Sequence, residues 1–115
     1  GSPRLSALTS GFAKRDGFLL ECAAAVGLDL GLYRPLMANS DHYNFAMAGI
    51  PAFRLVAGFD DPVANLRFVL TPADTRDKVS AAELMQSAIL TTAIVAAACN
   101  ADTQEVASWR NADFR

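Results

Sequence analysis

The chain has 115 residues, 52% hydrophobic and 19% charged, with ten basic and twelve acidic side chains and a net charge of −2. That supply of apolar residues suits one small packed domain and excludes a disordered chain, and the scattered basic residues argue against a nucleic-acid partner. A single histidine, His42, and two cysteines, Cys22 and Cys99, exclude a multi-histidine metal centre and a disulfide-stapled scaffold.

In chain order, the first helix is expected from about Ser10 to Val26, with Phe18, Leu19, Cys22 and Val26 on one face and Gly27 as a left-handed cap. Leu28, Leu30 and Leu32 alternate with Asp29 and Gly31, which predicts a short strand over 28–33 that Arg34-Pro35 ends. Asn39-Ser40-Asp41 is a group of N-capping residues, so a short helix should run from Asp41 to Ala48, closed by Gly49 and Pro51. Residues 52–58 read as a strand covered on both faces, residues 58–65 as an exposed loop, and Leu66–Leu70 as a further strand. Thr71–Thr75 is a turn.

Ser80-Ala81-Ala82-Glu83 has the form of a capping box. It predicts a long helix over 81–99 with a stripe of Leu84, Ser87, Ala88, Thr91, Ile94, Val95 and Ala98. The richest apolar run, Leu84–Cys99, is broken by Gln86, Ser87, Thr91 and Thr92, so a soluble chain without a membrane partner is expected. Cys22 and Cys99 read as two buried free thiols. Residues 3–101 form the expected domain unit and 102–115 a tail, with a helical turn near Gln104–Trp109 that packs Trp109 back. This alternation of helices and strands belongs to layered α/β architecture.

Two segments carry a resemblance. Ser40-Asp41-His42-Tyr43-Asn44-Phe45 followed by Ala48-Gly49-Ile50-Pro51-Ala52, and then Thr71-Pro72-Ala73-Asp74-Thr75-Arg76-Asp77-Lys78-Val79, resemble in order and spacing two stretches near the end of zinc-dependent aminopeptidases of metallopeptidase family twenty-eight. Glutaminyl cyclases share that fold. The likeness covers about Phe18 to Ala101.

It implies a three-layer α/β/α fold with a mixed sheet and, in complete enzymes, two zinc ions that activate water and polarise the scissile carbonyl. The family's ligands are a histidine, a bridging aspartate, a glutamate, a second aspartate and a last histidine, with another glutamate as general base. The leading ligands and the base belong to the front half of that domain, and this chain supplies the back half. The last histidine belongs just before Thr71-Pro72, where this sequence has Leu70. A leucine has no lone pair to offer a metal.

The expectation is therefore no zinc and no catalysis from this chain alone, with partners limited to a second copy or the missing N-terminal half. A peptide substrate is expected only for the complete enzyme. The alternative is a non-catalytic, peptidase-like interaction or dimerisation domain. Ser40, Asp41, His42 and Asp74 are the candidate cleft residues. Bland roles compete: Ser40 as a helix N-cap, and Asp74 and Asp77 as caps of the turn into the last helix. Ser40, Asp41 and His42 are adjacent in sequence and cannot converge as a catalytic triad. Leu70 is expected to fill the histidine's place, buried among Phe45, Phe53 or Phe68.

Overall fold

Strand β1, Leu5–Leu8, occupies the middle of a three-stranded sheet. The computed structural model describes residues 4–110. From β1 the chain turns through a 3-10 segment at Ala13–Arg15 into helix α1, Asp16–Ala25, and returns as β2, Leu30–Tyr33, parallel to β1. Parallel neighbours need such a crossover, and α1 provides it. Helix α2, His42–Met47, leads to β3, Arg54–Ala57, which pairs with the other edge of β1 in the antiparallel sense. Helix α3, Ala81–Asn100, and the short α4, Thr103–Ser108, complete a compact α/β domain with a small mixed sheet.

The register decides which residues become core. Leu5 stands opposite Leu30 and Ala57, and Ala7 opposite Leu32 and Leu55. Because strand side chains alternate, these six share one face. Leu19, Cys22 and Ala23 of α1 and Leu90 and Ile94 of α3 pack onto that face. Each leucine so buried contributes roughly 1.5–3 kcal/mol. On the opposite face Ser6, Leu8 and Val56 are also buried, and Tyr33 meets Phe59 edge-on at 5.0 Å.

The expected α/β class and the strands over 28–33 and 52–58 are present, in one sheet, with shorter limits. Gly27 caps α1 at φ +71°, and Ser80 and Glu83 exchange the two hydrogen bonds of a capping box. Trp109 packs back onto Phe18, ring centroids 4.6 Å apart.

Several expectations are corrected. Strand β1 was not foreseen: Ser10, placed at the start of the first helix, lies instead in a left-handed turn that ends β1. The expected strand over Leu66–Leu70 is a 3-10 turn at Asn65–Phe68, held by Asn65 Nδ2 donating to the Lys78 carbonyl at 2.9 Å. The stripe of α3 is rotated, so that Leu90 and Ile94 are buried while Leu84, Ala88, Thr91 and Val95 face outward. Cys99 is exposed on that outer side, and only Cys22 is a buried thiol. By length and composition alone α3 is apolar enough to cross a membrane, with mean hydropathy 1.5.

Candidate functional site

The buried polar chemistry collects where β1 and β2 end. Thr9 donates its amide to the Tyr33 carbonyl at 2.8 Å, and Gly11 donates to the Arg34 carbonyl at 2.6 Å. To make the second bond the chain takes left-handed values at Ser10, φ +58°, and Gly11, φ +78°. Glycine does this freely, whereas a serine there costs roughly 1–2 kcal/mol. Strain of this kind gathers at functional sites.

Behind the turn lies Arg15, buried although charged. Its Nη2 donates to the Thr9 carbonyl at 2.8 Å and to the Ala52 carbonyl at 3.1 Å, and its guanidinium lies 4.7 Å over the Phe53 ring. Burial pulls its pKa down to about 10, an effect the neighbouring Asp16 partly offsets. Asp16 accepts from Arg34 Nε. The Thr9 and Ser10 hydroxyls, Arg15 Nε and Nη1, and Asp16 Oδ1 are buried without hydrogen bonds among the described residues. Such groups are few in folded proteins, and here they concentrate at the carboxyl end of the parallel strand pair.

His42 opens α2 and is 8% exposed, with no hydrogen bond at either ring nitrogen among the described residues. Burial first, and then the charge of Arg54, hold its imidazole below the usual value. Ser40 and Asp41 precede it and are exposed. Asp41, not Ser40, takes the N-cap position, and neither side chain caps the helix; the Ser40 carbonyl accepts from the Tyr43 amide instead.

The second motif lies along β3. Asp74 is exposed, its amide donating to the Thr71 carbonyl at 3.0 Å. It shares a shallow depression with Arg54, Val56, Asn65 and Lys78. Asp77 accepts from Thr75 Oγ1 and from Lys78 Nζ, and these bonds, Lys78's first, hold its carboxyl at about 2. Asp77 therefore bonds within the turn that leads into α3, while α3 itself is capped by Ser80.

Leu70 corrects the expectation of a buried replacement. It is 97% exposed at φ +64°, on a turn that aims its side chain into solvent and away from Phe45, Phe53 and Phe68 as a packing site.

Arg54 joins the two motifs. From β3 it donates to Asn39 Oδ1 at 3.3 Å beside the first motif, acts electrostatically on His42, and lines the depression with Asp74. Thr9, Ser10, Arg15, Asp16 and Arg54 were all missed in the sequence. The Thr9-Ser10-Gly11 turn was the available signal, because it follows the largely apolar Leu5–Leu8 and precedes the charged Lys14-Arg15-Asp16.

Among the described residues no group of three or more His, Cys, Asp or Glu side chains is placed to hold a metal ion, and Leu70 supplies no donor. Comparisons with protein-family models, with curated proteins and with solved structures find no match.

Proposed function

We propose that this chain is the C-terminal portion of a three-layer, zinc-exopeptidase-like α/β/α domain of the aminopeptidase type, and that alone it binds no zinc and hydrolyses no peptide. The observation that supports this reading best is Arg54, which bonds Asn39 beside the first segment, acts on the charge of His42 and lines one depression with Asp74, Lys78 and Val79 of the second. Their order and spacing resemble those of the aminopeptidase family, and in that resemblance Leu70 stands where the family has its last metal-binding histidine. The upstream histidine, aspartate and glutamate ligands and the general base would come from an N-terminal half. Among the described residues β2 and β3 each pair on one side only, which leaves two edges able to receive further strands.

Native mass spectrometry with a zinc titration tests the metal part of the proposal. The chain is expected to stay metal-free at zinc concentrations that load complete exopeptidases. Tight binding of one or two ions, lost on His42→Ala, would overturn it.

One observation favours a second reading, a non-catalytic dimerisation module. Helix α3 exposes Leu84, Met85, Ile89 and Val95 and carries no charged residue after Glu83. An exposed apolar surface of this kind promotes association. Sedimentation would then show a concentration-dependent dimer that Met85→Lys dissociates.

A further inference from the structure

The free edge of β3 has an order that its pairing with β1 fixes. In an antiparallel pair, residues that hydrogen-bond to the partner strand alternate with residues whose main-chain groups point away from it. Gly58 donates its amide to the Arg4 carbonyl at 2.8 Å, and Thr9 of the same strand line donates to Tyr33 on the β2 side. With Ser6 opposite Val56 and Leu8 opposite Arg54, this phase turns the main-chain groups of Arg54 and Val56 toward β1. The N–H and C=O groups of Leu55 and Ala57 therefore point outward, and they have no hydrogen-bond partner among the described residues.

A slot of about 280 Å³ runs beside this edge, and Leu66, Val69, Asp74 and Val79 line its far wall. Asn65 Nδ2 ties that wall together by donating to the Lys78 carbonyl at 2.9 Å. Unpaired main-chain donors and acceptors in a row are matched by another main chain, and alternate side chains of an added strand are read by the surface beside it. Val69 and Val79, both about half exposed, suit small apolar side chains. Arg54 and Asp74 are opposite in sign and Lys78 is paired with Asp77, so the slot favours an uncharged occupant. Its volume admits one extended segment rather than the sheet of a second folded copy. We propose that the β3 edge binds an extended, uncharged peptide segment by strand addition. Leu55 and Ala57 supply the main-chain bonds, and the far wall holds alternate side chains. The site does not depend on the aminopeptidase-like reading.

The test is an NMR titration of the ¹⁵N-labelled chain with the peptide acetyl-Thr-Val-Thr-Val-Thr-amide, alongside the same peptide methylated on its valine nitrogens. Saturable shifts of the Leu55 and Ala57 amide signals are expected with the first peptide and not with the second. Ala57→Pro removes one outward N–H and spares the β1 ladder, and it should weaken binding by about tenfold. Val79→Asp, at an exposed position of the far wall, should weaken it to a similar degree without touching the strand. The absence of saturable shifts, an equal response to the methylated peptide, shifts centred on β2 instead, or unaltered binding by a folded Val79→Asp chain would each overturn the proposal. Concentration-dependent shifts of Leu55 and Ala57 without peptide would assign the edge to a second copy and overturn it as well.

Discussion

Arg34 donates its Nε to Asp16 Oδ2 at 2.8 Å and so ties the end of β2 to the first turn of α1. The pair is asymmetric: the Arg34 side chain is 66% exposed and that of Asp16 only 6%. Removing Arg34 therefore leaves a buried carboxylate short of its donor. Arg34→Ala should destabilise the domain by about 1 kcal/mol, the low end of the range for an orphaned buried acceptor, because the exposed guanidinium is well screened. Urea unfolding reads this directly. A double-mutant cycle with Asp16→Asn should return a favourable coupling of similar size.

The rotation of α3 predicts a contrast between neighbouring turns. Leu90 is fully buried, and Leu90→Ala should cost about 2–5 kcal/mol. Leu84 faces outward, and Leu84→Ala should stay within about 0.5 kcal/mol. Equal losses at the two positions in thermal unfolding would place the buried stripe of α3 elsewhere.

Leu70 predicts a gain. A leucine held at φ +64° carries a backbone cost of roughly 1–2 kcal/mol that asparagine or glycine largely avoids. Its exposed side chain gives up little on replacement. Leu70→Asn should raise the unfolding midpoint, and Leu70→His should leave it nearly unchanged with or without zinc. A large loss in either variant would show that the side chain is buried after all.

These contrasts also mark what was legible in the sequence. Ser80 and Glu83 announce the start of α3, and Gly27 announces the end of α1, because capping is local chemistry written within four residues. The faces of α3 were not legible. Apolar and small residues surround that helix, so Leu84 and Leu90 look alike until packing against α1 chooses between them. Strand β1 was hidden for a related reason: four residues, Leu5–Leu8, are too short for a period to show, and their pairing partners lie far along the chain at Leu30 and Ala57. Of the candidate residues, Ser40, Asp41, His42 and Asp74 were singled out by the motif resemblance. Arg15 and Arg54 were not, since a charged residue gives no local sign that tertiary packing will bury it or place it between two motifs.

His42 predicts a pH dependence with a definite sign. Its folded-state pKa lies below the ordinary 6.5, so the unfolded chain takes up the proton first as the pH falls. The stability linked to His42 is fully present above about pH 6.5 and is lost as the pH drops through the folded value. Urea midpoints measured from pH 7.5 down to about 5 should decline, and His42→Gln should flatten the decline. An identical slope in the variant would assign the effect to other groups.

The proposed peptidase-like frame without a catalytic metal site can be tested at the level of activity. The most direct measurement is zinc-dependent release of the chromophore from an aminoacyl chromogenic amide, compared between the chain and its His42→Ala variant. The account predicts no turnover above background from either protein, with or without added zinc. Zinc-dependent turnover by the parent chain that a chelator and His42→Ala both abolish would contradict it.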